Sequence, residues 1–180
     1  DKAMDLGVIS VRYARALLKS ATALKIEDSV CQDMMCLGRS YIEVPQLRTA
    51  IATPMLQPEK KELLLVTAAG TEPTELTRRF LKLVLREGRD NALQFMAASY
   101  VTLYREQKNI TCGRLITATA VTPAIEDKMR QMVESKTRGT VEFNTEVDPD
   151  IIGGFILEYD TYRMDASVKT GLRKILAELK

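Results

Sequence analysis

Histidine is absent from the 180 residues of this chain. That removes the commonest acid–base group at neutral pH and a favoured metal ligand, so serine–histidine chemistry and histidine-based zinc sites are excluded. Cysteine is scarce as well: Cys31, Cys36 and Cys112 are odd in number and form no close-spaced pairs. They read as reduced packing residues rather than a disulfide frame or a metal site. Long apolar runs are missing, since the longest, Ile151 to Leu157, falls far short of the roughly 18 residues of a membrane span. No membrane insertion is expected. Acidic Asp1 and Asp5, with no uninterrupted apolar block near them, argue against a signal peptide and for a cytoplasmic-type compartment. Neither sign of charge dominates: 26 basic and 24 acidic residues leave a net +2. This balance gives no polybasic footprint for nucleic acid or anionic lipid.

What is present is a 46% apolar content arranged in helical periods over the first part of the chain. Ile9, Tyr13, Ala16, Leu17 and Leu24 recur at three- and four-residue intervals and predict a first helix over residues 8–25. A second helix is expected from a cap at Asp28 or Ser29, with Val30, Met34, Leu37 and Tyr41 inward, stopping near Val44 because Pro45 follows. Leu47, Ala50 and Ile51 mark a short third helix. Pro58 opens a fourth, which Gly70 closes. Thr71 or Thr74 starts a fifth, carrying Leu76, Phe80, Leu83 and Val84 until Gly88, and Asp90 is expected to cap the sixth.

The period then changes. Leu115 to Val121 alternates as a half-buried strand, Thr122 with Pro123 opens a helix ending near Gly139, and Val141, Phe143, Thr145 and Val147 define a second strand. Asp148-Pro149-Asp150 is a turn entry, Gly153 and Gly154 give backbone freedom before Phe155 to Leu157, and a hairpin follows around Asp160-Thr161. Thr is poorly suited to positive φ, which leaves that turn's type open. Asp165 is placed to cap the amphipathic run Val168, Leu172, Ile175, Leu176 and Leu179. The fold class is therefore α+β, mainly α: an N-terminal six-helix bundle, 1–107, and a small α/β module, 112–180, of order β-α-β-β-β-α.

Five stretches stand out in order along the chain: Arg12-Tyr13-Ala14-Arg15-Ala16-Leu17, the Pro-led run Pro58 to Leu64, Phe80-Leu81-Lys82-Leu83, Asp148-Pro149-Asp150-Ile151-Ile152-Gly153-Gly154-Phe155, and Met164-Asp165-Ala166-Ser167-Val168. Together they resemble the delta subunit of bacterial F-type ATP synthase, whose mitochondrial counterpart is the oligomycin-sensitivity-conferring protein. Their order and spacing match that family over essentially the whole chain. The resemblance implies a non-catalytic stator subunit without cofactors, peripheral on the cytoplasmic face of the bacterial inner membrane. It further implies that the first and fifth helices bind N-terminal helices of the alpha subunits, and that the C-terminal module meets the b subunits of the peripheral stalk. The hairpin departs from the family's pattern: Tyr159-Asp160-Thr161-Tyr162 has no glycine.

Pattern and resemblance converge on one pair of helices. Beside its inner stripe the first helix carries Ala14, Leu18 and Ala21, and beside its own the fifth carries Leu81 and Leu85. Such surplus apolar rows signify either deep burial or a groove awaiting an amphipathic helix. On the groove reading the contact residues are Tyr13, Ala14, Leu18, Ala21, Leu81 and Leu85. Asp148, Gly153, Gly154, Asp165 and Ser167 form the structural motif of the tail. Gly153-Gly154 lacks the lysine and helix start of a phosphate loop, and Asp148, Asp150, Asp160 and Asp165 lack calcium-loop spacing. The alternative to the stator reading is a helical adaptor for some other amphipathic helix; for an enzyme, no convergent nucleophile, base and oxyanion donor can be read.

Overall fold

The computed structural model describes residues 2–179, with side-chain surroundings from Leu6 onward; Asp1 and the side chain of Asp5 lie outside that range. The chain forms two compact units, 1–106 and 107–180.

The first unit contains α1 (Lys2–Ala23), α2 (Glu27–Glu43), α3 (Pro45–Ala52), α4 (Pro58–Ala69), α5 (Glu75–Arg86) and most of α6 (Leu93–Lys108). Prolines open α3 and α4, where a missing N–H costs nothing. Gly70 at φ 138° and Gly88 at φ 61° supply the left-handed exits after α4 and α5. Two expected caps are corrected. Ile26 holds the cap position of α2 without a side-chain bond, and Asp28 sits in the first turn, where its charge favours the helix dipole. Asp90 opens a single 3₁₀ turn before α6, and its carboxylate takes a 3.0 Å hydrogen bond from Lys61 instead of capping.

The core of this unit is made by Ala14, Leu17, Leu18 and Ala21 of α1, Met34 and Leu37 of α2, Leu65 of α4, Phe80, Leu81 and Val84 of α5, and Met96 and Tyr100 of α6. The fully buried Tyr100 satisfies its hydroxyl by donating to the Glu27 carbonyl at 3.0 Å. Burial pushes its phenol well above the ordinary tyrosine range. Leu24, expected inward, is exposed beyond the end of α1.

The second unit holds β1 (Ile110–Thr117), α7 (Pro123–Thr137), β2 (Thr140–Val147), β3 (Phe155–Tyr159), β4 (Tyr162–Asp165) and α8 (Val168–Glu178). The sheet order is β2-β1-β3-β4. β1 and β2 are parallel, which demands a crossover, and α7 provides it; the other two pairings are antiparallel. Val133 of α7 packs on Leu115, Val141 and Leu157, while the opposite face carries Arg114 paired with Glu146 and Glu158.

The sequence-based strand at 115–121 is displaced. Pairing with β2 runs from Ile110 to Thr117, and the Thr117 hydroxyl then donates to the Thr119 carbonyl as the chain leaves the sheet. Arg138 at φ 54°, rather than Gly139, ends α7. Tyr159 pairs with Tyr162 across the hairpin, and the positive φ of the turn, 49°, falls on Asp160, which tolerates it better than Thr161 would.

Candidate functional site

α1 and α5 pack side by side and leave an open apolar groove of about 450 Å³ between them. Its floor is Leu17 and Phe80, and its walls are Tyr13, Ala16, Leu76 and Leu83. Tyr13 and Phe80 meet edge-to-face with ring centroids 6.5 Å apart, a preferred aromatic geometry that fixes the floor. Leu83 is 41% exposed, so its isobutyl group is offered to solvent. Arg12, Arg79, Ser20 and Glu87 make a polar rim. An apolar floor with a polar rim suits a short amphipathic helix.

The burial of the surplus rows corrects the sequence reading residue by residue. Ala14, Ala21 and Leu81 are fully buried and Leu18 nearly so, because α1 and α5 are both pressed into the bundle along those rows. They are core, not groove. Leu85 is half-buried against the same core, and of the six expected contact residues only Tyr13 lines the opening. Periodicity places the open positions Ala16, Leu76 and Leu83 inward, because it finds a stripe but not which of two adjacent stripes is covered.

One residue that positions the groove escaped sequence reasoning. Asp33 of α2 is buried, and its carboxylate accepts hydrogen bonds from the Thr74 amide (2.9 Å), the Thr74 hydroxyl (3.0 Å) and the Thr77 hydroxyl (2.7 Å). Thr74 is also the cap of α5, its hydroxyl accepting from the Thr77 amide at 3.2 Å. A carboxylate on one helix thus holds the first turn of another, using the N–H donors that a helix start leaves unpaired. Its signal in the sequence was a lone acidic residue inside the apolar stripe Val30, Met34 and Leu37.

The second unit presents a different surface. Val168, Leu172, Ile175, Leu176 and Leu179 lie on one stripe of α8 and are 44%, 48%, 56%, 61% and 78% exposed. None of the residues of α8 is buried, so the stripe is unpartnered within the described residues. Such a stripe is far more apolar than a solvated helix face requires.

The tail motif builds the start of α8. Ser167 is the cap, its hydroxyl accepting from the Thr170 amide at 3.3 Å, so the expected cap at Asp165 is corrected. Asp165 stands behind it: its carboxylate accepts from the Ser167 amide (3.0 Å), the Ser167 hydroxyl (2.6 Å) and the Thr170 hydroxyl (2.9 Å). Those bonds, the Ser167 hydroxyl's foremost, hold the Asp165 carboxyl below the usual carboxylate range. Asp148 plays a similar part upstream, accepting from the Asp150 amide at 3.0 Å to cap a 3₁₀ turn over Pro149–Ile151. Of the two glycines only Gly154 needs left-handed backbone, at φ 73°, and a β-carbon there would collide with the Ala166 carbonyl. Gly153 faces only the Val168 side chain. No group of three or more potential metal ligands occurs among the described residues, and no helix is long and apolar enough to cross a membrane.

Fold and surfaces define a class: a mainly helical protein of two units, each offering an exposed apolar surface on a helical scaffold. Comparison with known sequences gives the family. The profile of the ATP synthase delta (OSCP) subunit family matches residues 9–179, and the chain belongs to that family. It is 44% identical over 173 residues to the ATP synthase subunit delta of Phocaeicola vulgatus, covering 96% of this chain and 94% of that one. It is 42% identical over 172 residues to that of Parabacteroides distasonis, covering 96% of each. Among solved structures, a chain of the mitochondrial ATP synthase hexamer of Toxoplasma gondii shares the fold, with a TM-score of 0.65 and 20% identity over 94% of this chain and 96% of that one. The family is a structural, non-catalytic subunit of ATP synthase.

Proposed function

We propose that this chain is the stator subunit that ties the catalytic head of an F-type ATP synthase to its peripheral stalk, and that its two units, 1–106 and 107–180, divide the task. The α1/α5 groove takes the N-terminal helix of an alpha subunit, with Tyr13, Phe80 and Leu83 as its apolar contacts. The α8 stripe takes the b subunits of the stalk, with Leu172, Ile175 and Leu176 as anchors. The chain acts peripherally, at the cytoplasmic face of the inner membrane, and supports proton-driven ATP synthesis without chemistry of its own.

The observation that carries this reading is that each unit has its own exposed apolar surface shaped for a helix. A linker under rotary load needs two independent attachments, each slow to release, and release rate is where interface affinity is mainly set. The test is capture of a synthetic alpha-subunit N-terminal peptide by the full chain. Saturable binding that Leu83→Asp weakens supports the assignment; wild-type chain that ignores the peptide refutes it.

A further inference from the structure

Ile152 occupies a backbone conformation that suits it badly. At φ 72° and ψ −41° it sits at positive φ outside the small left-handed helical region, and a β-branched side chain clashes with its own backbone there. Burial does not compensate, because Ile152 is 62% exposed and belongs to none of the core clusters, whereas its neighbour Ile151 is buried with Ile116 and Ile156. Glycine would hold the same turn at lower cost. A strained residue that keeps a bulky apolar side chain in water points to use elsewhere.

Its surroundings say where. Ile152 stands at the mouth of a shallow pocket with Ile125 of α7, itself 47% exposed, and with Gly153 and Gly154. The carbonyl of the next residue, Gly153, accepts a 3.0 Å hydrogen bond from the Val168 amide, and Val168 begins the exposed stripe of α8. Exposed Ile125 and Ile152, which line that pocket, and exposed Val168 and Leu172, which the Gly153 bond places after it, make up an apolar track that the glycine interrupts. The part of the track on α8 is flanked by exposed Arg173 and by Lys169 one turn earlier, while Glu178 is the one carboxylate that helix carries among the described residues.

We infer that Ile152 is a docking knob: it extends the α8 surface, so that one amphipathic helix with carboxylates beside its apolar stripe lies along α8 and is gripped at its end by Ile152 over the Ile125 pocket. This rests on the reading of α8 as the stalk-binding surface. The apolar track requires an apolar-striped partner, and Lys169 with Arg173 selects carboxylates on the partner's flank. The strain at Ile152 persists because its side chain serves the contact and not the fold.

Binding kinetics beside thermal melts test this, using the full chain and the soluble C-terminal segment of the cognate b subunit as probe. Ile152→Gly should leave the melting temperature unchanged or raised while release of the segment quickens roughly tenfold, the scale of one lost apolar anchor. Ile152→Met, which restores apolar reach, should recover most of the affinity. Unchanged release by Ile152→Gly, with Leu172→Glu abolishing binding, would overturn the knob and leave the stalk reading standing. Failure of the wild-type chain to bind the segment, with capture instead by anionic vesicles or a second copy of the chain, would overturn both.

Discussion

The carboxylate of Asp33 on α2 accepts a 2.7 Å hydrogen bond from the buried hydroxyl of Thr77 on α5. The same oxygen receives the amide and hydroxyl of Thr74, so the wall of the α1/α5 groove is fixed from behind by a third helix. Asp33→Ala strands these donors out of water and should cost about 3 kcal/mol, since hydrogen bonds to charged groups contribute about 1.5–3 kcal/mol and an orphaned buried donor adds to the loss. Urea unfolding checks the magnitude. Asp33→Asn, still an acceptor, should lose less, and a loss well below about 1 kcal/mol for Asp33→Ala would show that the bonds are immaterial.

Leu81 and Leu83 sit two residues apart on α5 with opposite fates, the first fully buried and the second 41% exposed at the groove. Leu81→Asp places a charge in the core and should destabilise by about 4 kcal/mol or more. Leu83→Asp should shift stability by less than about 1 kcal/mol, as exposed substitutions do, while weakening an alpha-subunit N-terminal peptide at least tenfold. Melts and peptide titrations of both variants separate core from contact.

The two adjacent glycines are not equivalent. Gly154→Ala combines φ 73° with a collision against backbone and should cost about 2–4 kcal/mol. At Gly153 an added β-carbon would meet only Val168 Cγ2, at 3.1 Å, and a side chain can rotate away. Gly153→Ala is therefore expected to cost about 1 kcal/mol or less. Chemical denaturation of the pair gives the ranking, and the reverse order would contradict the turn geometry.

Acid should loosen the start of α8. The Asp165 carboxyl is held below its ordinary value by the Ser167 hydroxyl and amide, so its folded pKa lies under its unfolded one. The stability it contributes is then present above the unfolded value of about 3.9 and is lost as pH falls through the folded value. Melting temperatures of wild type and Asp165→Asn should differ at neutral pH and converge below about pH 4. A gap that persists into acid would remove Asp165 from the capping role.

Much of this architecture was legible because local rules and tertiary structure agree: Pro45 and Pro58 open helices, Gly70 and Gly88 close them, and the 140–147 alternation is a strand. The tail motif was legible as a unit, although the cap proved to be Ser167 with Asp165 behind it. What could not be read was which apolar row faces inward. Periodicity places Leu18, Leu81 and Leu83 on helices, but only packing against other helices decides that Leu18 and Leu81 are covered and Leu83 is not. The α8 stripe is the converse: Leu172 and Ile175 look like core in the sequence and lie exposed in the fold. The turn at Ile152 was invisible for another reason, since nothing in Ile-Ile-Gly-Gly says that the second isoleucine, and not the first glycine, takes the positive φ.

On the proposed function, one chain holds two helices at once through separate surfaces. The direct measurement immobilises the b-subunit segment, adds the full chain, and follows capture of a labelled alpha-subunit N-terminal peptide. Peptide capture is expected only when the chain is present, with loss of the peptide alone for Leu83→Asp and loss of both the chain and the peptide from the surface for Leu172→Glu. If the peptide displaces the chain from the b segment, or if either variant disturbs the other partner's contact, the two surfaces are not independent and the proposed function fails.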